Sequence, residues 1–282
     1  MSAIDGGTVL ITGASSGIGM AIAREVAPRA RTLVFVARRI GKLDELKTEL
    51  LGRAGKAGQA LTVETIACDL SDREATKKLP AEIAARGLDV DVLVNNAGVG
   101  LMGAFDLNDP DKLVQMVDLN VTSLTMLTRA LLPPMVARKK GGIINISSGF
   151  GVSVMPSFAA YIATKHYLTG FSEALVCDLA GTGVVVTQVL PGPVATEFES
   201  KVGNYTGQDA PKFVEISAEE CARATIAGFD RKRAMVVPGV VISLLLMVNA
   251  LSPRFMRRFF ASRLGRIARR KQSAILTDSE ST

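Results

Sequence analysis

The chain reads Thr12-Gly13-Ala14-Ser15-Ser16-Gly17-Ile18-Gly19 between an apolar, β-branched run at Thr8 to Ile11 and a helix-forming run at Met20 to Val26. The first run is typical of a buried parallel strand and the second of a helix. Glycines let the backbone turn sharply and approach a diphosphate closely, and the N-terminus of the helix offers unpaired N–H groups. The pattern therefore predicts a dinucleotide-binding turn, although glycine-rich turns of this kind also occur as packing devices.

Strand-like and helix-like segments alternate from residue 8 to about residue 238. This alternation predicts an α/β fold, a single Rossmann-like doubly wound domain over residues 1–238 with a seven-stranded parallel sheet. Residues 239–282 are predicted to form a helical C-terminal extension. In such sheets the ligand lies beyond the carboxyl ends of the strands. The predicted strands are Val9 to Thr12, Thr32 to Ala37, Leu61 to Cys68, Val90 to Asn95, Gly142 to Ser147, Val184 to Leu190 and Ala234 to Pro238.

Composition limits the class of protein. Of the 282 residues, 48% are hydrophobic, which is enough for a large core. Three widely separated cysteines, Cys68, Cys177 and Cys221, and the single His166 match no metal-binding spacing, so we expect no metal site and a reducing compartment. Because no apolar leader precedes the first strand, we expect a cytoplasmic protein.

The positive charge is concentrated near the C-terminus. The formal net charge is +6, with 33 basic and 27 acidic residues. Eight basic residues and no acidic one lie between Pro253 and Lys271, so the rest of the chain is nearly neutral. A neutral body without a base-reading motif argues against nucleic-acid binding. The eight are Arg254, Arg257, Arg258, Arg263, Arg266, Arg269, Arg270 and Lys271.

The second predicted strand ends in Val36-Ala37-Arg38-Arg39. Dinucleotide folds that use NAD usually carry an acid near this point, whereas an arginine suits the 2′-phosphate of NADP. Ala37 stands at the expected acid position and Arg38 follows it, so the sequence favours NADP(H). Arg39 either shares this role or faces water, and the alternative is a solvated arginine pair at the start of a helix.

Two further strand ends carry polar or small residues. Asp69, in Ala67-Cys68-Asp69-Leu70, is expected to meet the adenine edge, because Ser71 is placed to cap the next helix in its stead. Asn95-Asn96-Ala97-Gly98 follows the fourth strand, where small residues allow close approach to a cofactor and an amide can tie neighbouring strands together. The same four residues also suit an ordinary turn.

A tyrosine and a lysine are spaced for proton transfer. Tyr161 and Lys165 lie four residues apart in a helical run from Phe158 to Leu179, so their side chains share one face. An ammonium beside a phenol favours the phenolate, and we therefore expect Lys165 to lower the pKa of Tyr161.

This set of motifs resembles the short-chain dehydrogenase/reductase family over roughly residues 7 to 240. The resemblance rests on the glycine turn, Asn-Asn-Ala-Gly, and Ser148 thirteen residues before Tyr161. It implies that Ser148, rather than Ser147, hydrogen-bonds the substrate carbonyl and that Tyr161 is the general acid in reduction. Lys165 would tune Tyr161 and hold the nicotinamide ribose, and Asn120 would support a water relay to the lysine.

The resemblance also assigns Pro191-Gly192-Pro193-Val194-Ala195-Thr196 to the nicotinamide carboxamide, and places a substrate loop at residues 197–213. The expected cofactor-binding residues are Gly13, Ser15, Ser16, Gly17, Ile18, Gly19, Arg38, Arg39, Asp69, Leu70, Asn96, Ala97, Gly98, Tyr161, Lys165, Pro191, Gly192, Val194 and Thr196.

The implied activity is NADP(H)-dependent reduction of a ketone to a secondary alcohol, or the reverse, on a hydrophobic substrate of lipid, acyl or steroid type. The resemblance implies a homodimer or homotetramer, paired through helices at residues 109–138 and 158–179. The competing hypothesis is a catalytically vestigial NADP(H)-binding protein that acts through its C-terminal tail. The presence of Asn120, Ser148, Tyr161 and Lys165 argues against it.

The extension departs from the family pattern. Residues 239–251 are uncharged but too few to span a bilayer, for which about 20 are needed. A partly amphipathic basic segment follows, in which Phe255, Met256, Phe259 and Phe260 share one helical face. An apolar segment beside a basic one is typical of a helix in a membrane interface, so we expect peripheral membrane contact through residues 240–271. A cap over the substrate pocket and a dimer contact remain the alternatives.

Overall fold

The computed structural model describes residues 2–198, 202 and 211–280, with side chains up to residue 275. Its centre is a seven-stranded, wholly parallel sheet in the order β3-β2-β1-β4-β5-β6-β7, which confirms the predicted fold class. The chain order reverses between β1 and β4, so a crevice for a ligand opens there at the carboxyl edge. The strands are β1 (Thr8–Thr12), β2 (Thr32–Ala37), β3 (Thr62–Ala67), β4 (Val92–Asn95), β5 (Gly141–Ile146), β6 (Val184–Val189) and β7 (Met235–Val236).

Helices cover both faces of the sheet. A π-helical segment, Asp118–Ser123, joins α4 to α5, and the short 3₁₀ turn Gly149–Gly151 follows β5. The α-helices in the described part of the chain are α1 (Gly17–Val26), α2 (Ile40–Lys56), α3 (Arg73–Ala85), α4 (Pro110–Val117), α5 (Leu124–Ala137), α6 (Ala159–Asp178), α7 (Ala218–Asp230), α8 (Val240–Leu251) and α9 (Arg254–Glu280).

The core has two layers because successive strand residues point to opposite faces. Ile11 and Phe35 pack with α1, α2 and α7 on one face, whereas Leu10 and Val34 pack with α3, α5 and α6 on the other. Strands β1, β2, β4 and β5 are buried along their whole length, as parallel strands covered on both faces must be. This explains why the strands read as continuous apolar runs.

Asparagine side chains fasten the central strands at their carboxyl ends. Asn96 Nδ2 donates to the carbonyls of Thr12 and Gly13, at 2.9 and 3.2 Å, which ties β4 to β1. Asn95 Nδ2 donates to Asn145 Oδ1 at 2.8 Å, and Asn145 donates to Ser172 on α6 at 2.9 Å. The predicted role of this segment in tying strands together is therefore confirmed.

Some predicted boundaries and one predicted cap are wrong. β7 has only two residues because it pairs over just two positions of β6, and β3 is one residue shorter at each end than predicted. The cap of α3 is Asp72, whose Oδ1 accepts from the N–H groups of Glu74 and Ala75, and not Ser71. Ser71 instead donates its backbone N–H and its hydroxyl to Asp69.

The predicted helical extension is present as α8 and α9, which meet at a bend of 115°. Within the described residues no single helix is long and apolar enough to cross a membrane, although these two together meet the length and composition of a broken span. The division of the chain at residue 238 stays a prediction.

Candidate active site

Tyr161 and Lys165 lie one turn apart on α6, next to the carboxyl end of β5. Both side chains are buried. Lys165 Nζ donates to the carbonyl of Ile146 at 3.1 Å and lies 5.7 Å from the centre of the Tyr161 ring. The predicted shared face of the helix is therefore present, with the ammonium over the ring of its neighbour.

Burial controls the protonation of this pair. It raises the pKa of the Tyr161 phenol well above its ordinary value, and a hydrogen bond with Ser148 only partly offsets this rise. Burial also lowers the pKa of Lys165 to about 8, because the ammonium loses its hydration. The expected lowering of the Tyr161 pKa is wrong in this arrangement, since the cost of desolvating a phenolate is the larger effect.

The two serines after β5 have different partners. Ser148 lies close enough to Tyr161 to lower the phenol pKa against the effect of burial, and its Oγ accepts from the N–H of Phe150 at 3.1 Å, so it caps the 3₁₀ turn. Ser147 Oγ donates to the backbone carbonyl of Lys165 at 3.2 Å. The structure thus places Ser148 beside Tyr161 and uses Ser147 to hold the backbone of α6. That Ser148, rather than Ser147, bonds a substrate carbonyl stays a prediction.

Asn120 lies in the π-helical segment and fixes the chain opposite α6. Its side chain binds both backbone groups of Val99, accepting from the N–H at 3.0 Å and donating to the carbonyl at 2.8 Å. It also donates to Thr164 Oγ1 at 3.1 Å, next to Lys165. A Cβ on Gly98 would lie 3.2 Å from Asn120 Oδ1 and 3.6 Å from Lys165 Nζ. Asn120, Gly98 and the Lys165 ammonium therefore lie close together.

The glycine turn lies close against the end of β4. Gly13 has a φ of +69°, and a Cβ there would approach the Ala97 Cα to 2.9 Å. A Cβ on Gly19 would collide with the Asn96 amide, so part of the glycine pattern serves packing. Helix α1 begins at Gly17 with Ser16 as N-cap, and the Ser16 side chain makes no capping bond. A phosphate group fits this helix N-terminus, as predicted for a dinucleotide.

The two arginines after β2 have different surroundings. Arg39 Nη2 donates to the hydroxyls of Ser15 and Ser16, at 3.2 and 2.9 Å, and its Nη1 pairs with Glu197 at 3.0 Å. Arg38 is mostly exposed and lies 3.7 Å from Asp69. Arg39 therefore lies at the glycine turn and Arg38 lies near Asp69 at the end of β3, and Arg39 is the better held.

Asp69 is not a free side chain, contrary to the expectation that rested on Ser71 as the helix cap. It accepts from Ser71 at 2.9 and 2.7 Å, and these bonds together with Arg38 hold the pKa of its carboxyl below the ordinary value although burial opposes them. Leu70 directs its side chain into the core and thus lies beneath the site. Ile18 packs on the core from the other face.

The segment after β6 joins the glycine turn to the extension. The Thr196 methyl would lie 3.1 Å from a Cβ on Gly17, and Val194 forms a parallel bridge with Ile216. The Pro191 carbonyl accepts from the N–H of Gly149 at 2.8 Å. A Cβ on Gly192 would collide with Ile242 of α8. The predicted nicotinamide segment therefore lies between the glycine turn, the 3₁₀ turn after β5 and helix α8.

An apolar wall surrounds the tyrosine. The rings of Phe150, Phe158 and Phe198 lie 6.2, 6.0 and 5.8 Å from that of Tyr161, centre to centre. From α8, Leu246 approaches Gly149. The predicted substrate loop, residues 197–213, lies mostly outside the described residues, which include only 197, 198, 202 and 211–213 of it.

Several contacts of the extension were missed by sequence reasoning. Gln272 of α9 is buried and accepts from the N–H of Ala104 at 2.7 Å, and Arg269 forms a two-fold ion pair with Asp106 at 2.8 and 2.7 Å. Asn249 of α8 donates to the carbonyl of Val152 at 3.0 Å. No local pattern marks these residues, because each contact joins positions about 100 or more apart in the chain.

Comparison with known proteins gives relatives along most of the chain. It is 33% identical over 257 residues to the NADP-dependent 3-hydroxy acid dehydrogenase of Schizosaccharomyces pombe, covering 86% of this chain and 94% of that one. It is 35% identical over 192 residues to the very-long-chain 3-oxoacyl-CoA reductase of Bos taurus, covering 67% of this chain and 59% of the relative. Another relative, a short chain dehydrogenase of Pseudocercospora fijiensis, is likewise covered over only 62% of its length.

A solved structure shares the fold. The short-chain dehydrogenase from Sphingobium yanoikuyae in complex with NADPH superposes with a TM-score of 0.75 at 30% identity, covering 86% of this chain and 91% of that one. The family model described as short chain dehydrogenase matches residues 7–206, which is more than half of the chain. The chain therefore belongs to the short-chain dehydrogenase/reductase family of oxidoreductases.

Proposed function

We propose that the protein is an NADP(H)-dependent oxidoreductase that reduces a ketone to a secondary alcohol, or catalyses the reverse, with Tyr161 as general acid and base. One observation carries this proposal. The Ser148 hydroxyl lies beside the Tyr161 phenol within an apolar wall, and the buried ammonium of Lys165 lies over the tyrosine ring. Two hydroxyl donors that converge in a dry site suit the oxygen of a carbonyl group.

NADP(H) is the cofactor that the binding residues fit. The uncapped N-terminus of α1 suits the diphosphate, and Arg39 with the Ser15 and Ser16 hydroxyls suits the 2′-phosphate. The Sphingobium structure is a complex with NADPH, and the fission yeast relative is named as NADP-dependent. The segment from Pro191 to Thr196 would hold the nicotinamide end. When bound, the cofactor supplies or accepts the hydride.

The chain's own residues position the substrate and control one proton. Ser148 would donate its hydroxyl hydrogen to the carbonyl oxygen and so orient it toward Tyr161. Because the pKa of Tyr161 is raised by burial, the phenol is protonated at neutral pH and is ready to donate in the direction of reduction. Lys165 holds positive charge over the ring, and Asn120 maintains the backbone on the opposite side. In oxidation the same phenol oxygen would receive the proton.

A hydrophobic substrate fits the walls of the site. The rings of three phenylalanines surround Tyr161, namely Phe150, Phe158 and Phe198. Helix α8 adds Ile242 beside Gly192 and Leu246 beside Gly149. One relative is named a very-long-chain 3-oxoacyl-CoA reductase. We therefore infer an acyl-, lipid- or steroid-like ketone.

The outer surface of the extension is suited to a membrane. Helix α9 turns its small and polar residues inward, with Gly265 near Pro156 and Ala268 and Gln272 buried. Most of its large apolar side chains, and most of those of α8, face outward instead. The exposed residues are Val240, Val241, Leu244, Leu245, Met247, Val248, Leu251, Phe255, Met256, Phe259, Phe260, Leu264, Ile267 and Ile275.

This face would contact anionic lipid. So many exposed apolar side chains on two consecutive helices exceed what scattered surface residues provide, and the second helix carries eight basic residues, of which Arg269 pairs with Asp106. We infer peripheral contact with the cytoplasmic face of a membrane, with lipid-like substrate reaching the site past α8. A cap over the pocket is compatible with this inference, because α8 contributes Ile242 and Leu246 inward.

A homodimer or homotetramer built through α4, α5 and α6 remains part of the proposal, by resemblance to the family. The rival function, an NADP(H)-binding protein with a vestigial site, is disfavoured because Asn120, Ser148, Tyr161 and Lys165 lie together around one buried pocket edge. Measurable turnover separates the two functions.

Replacing the proton donor tests the reaction. Tyr161→Phe should lower the rate of NADPH oxidation over a panel of ketones by about 10²–10⁴-fold, because general acid catalysis is removed. Tyr167→Phe is the matched control, since Tyr167 lies on the same helix but is exposed, and it should retain activity. Activity that survives Tyr161→Phe would contradict the assigned donor.

Nuclear magnetic resonance of protein labelled with ¹³C-lysine tests the buried ammonium. Burial disfavours the charged form, so one lysine Cε signal should titrate near pH 8. That signal should disappear in Lys165→Met. A spectrum with no lysine signal that titrates near pH 8 would refute the environment assigned to Lys165.

Vesicle binding tests the proposed membrane face. The full chain should sediment with vesicles of phosphatidylcholine and phosphatidylglycerol more than with phosphatidylcholine alone. The double variant Phe255→Ser/Phe260→Ser should weaken binding about tenfold or more, because two exposed rings can no longer enter the interface.

The matched control is Ile40→Ser/Met235→Ser, which replaces exposed apolar side chains on α2 and β7, away from the helices proposed to pair protomers, and should bind vesicles like the wild type. Equal vesicle binding by the phenylalanine variant and the wild type would contradict the membrane role. A second result would also contradict the membrane role: the wild type does not bind vesicles, and the phenylalanine variant loses a dimer that the wild type forms in size-exclusion chromatography. The face would then pair with a second copy of the chain.

A further inference from the structure

Arg39 is held from two sides. One guanidinium nitrogen donates to the Ser15 and Ser16 hydroxyls of the glycine turn, and the other pairs with the Glu197 carboxylate at 3.0 Å. Arg39 follows β2 as the N-cap of α2, whereas Glu197 follows the segment after β6. The pair thus joins two strand ends that lie in opposite halves of the sheet.

Glu197 occupies the position in sequence where two parts of the site meet. Its neighbour Thr196 approaches Gly17 of the glycine turn, and residues 197–213 are the predicted substrate loop. An anion that contacts Arg39 here stands where a cofactor phosphate would also make its charge-assisted contact. The carboxylate and the phosphate therefore require the same guanidinium.

We propose that Glu197 is an internal competitor for the 2′-phosphate of the cofactor. Glu197 engages Arg39 in the protein alone and gives it up to the phosphate. This inference rests on the proposed NADP(H) role of Arg39. It adds a residue that weakens cofactor affinity.

The exchange is physically easy in one direction. The side chains of Arg39 and Glu197 are 42% and 49% exposed, and ion pairs of this exposure contribute at most about 1 kcal/mol. A phosphate monoester carries up to about two negative charges and binds a guanidinium through two oxygens, so it is the stronger partner. The serine hydroxyls can follow, because a hydroxyl also donates to a phosphate oxygen.

The other arginine does not offer the same exchange. Arg38 is 66% exposed and its nearest carboxylate, Asp69, lies at 3.7 Å. Asp69 is already engaged by the N–H and the hydroxyl of Ser71. Removing the charge of Asp69 therefore alters a turn, whereas removing that of Glu197 alters the partner of Arg39.

Calorimetric binding of two nucleotides to the full chain tests the proposal. Adenosine 2′,5′-bisphosphate carries the 2′-phosphate, and adenosine 5′-diphosphate lacks it. Glu197→Gln should bind the bisphosphate about two- to fivefold tighter than the wild type, with no change for the diphosphate. In an Arg39→Ala background, Glu197→Gln should have no effect on either nucleotide. Glu45→Gln, which removes an equal charge from the exposed surface of α2, is the control and should match the wild type.

Three results would overturn the inference. Glu197→Gln could leave bisphosphate affinity unchanged, tighten both nucleotides equally, or tighten the bisphosphate equally without Arg39. The last two would mean that Glu197 acts through the general field of the site. A wild-type protein that binds both nucleotides equally would contradict the proposed use of NADP(H) itself, whereas a clear preference that Glu197→Gln leaves unchanged contradicts only the competition. Thermal unfolding of each variant establishes that the fold is retained.

Discussion

The removal of Tyr161 and Lys165 from water is the constraint on which the site depends. A buried ammonium is costly unless it is held by a polar group, and here it donates to the Ile146 carbonyl at the end of β5. A buried phenol keeps its proton, because burial raises the Tyr161 pKa more than the neighbouring Ser148 lowers it. The same desolvation that perturbs both pKa values makes the pair suitable for controlled proton transfer in an apolar pocket.

The parallel sheet supplies this environment by collecting strand ends at one edge. Asn96 brings the end of β4 against the glycine turn after β1, and the Asn95–Asn145–Ser172 chain joins β4, β5 and α6. These buried polar contacts leave little freedom for the backbone. The glycine turn and the Tyr161–Lys165 pair are therefore positioned by one continuous set of contacts.

Local patterns in the sequence predicted the parts that depend on local rules. The apolar pattern along the chain predicted the parallel sheet and helix α6. The family resemblance predicted that Ser148 belongs with Tyr161. The rise in the Tyr161 pKa could not be predicted from the sequence, because it depends on how completely the surrounding chain excludes water. Asp72, and not the predicted Ser71, caps α3. Adjacent Ser and Asp residues both suit an N-cap, so residue type alone does not choose between them. Contacts such as Arg39–Glu197 and Gln272–Ala104 join distant positions and have no local signal.

The central claim is that this pocket transfers hydride and proton to a carbonyl group rather than merely holding a nucleotide. The test uses NADPH deuterated at C4, in separate samples for each face of the nicotinamide ring. The full chain is incubated with each sample and with ketones of increasing apolar bulk, and the products are analysed by mass spectrometry. The account predicts deuterium on the carbinol carbon of at least one bulky apolar alcohol, from one face of the ring only. Binding of NADPH with no deuterium in any product would contradict it and favour the vestigial binding protein.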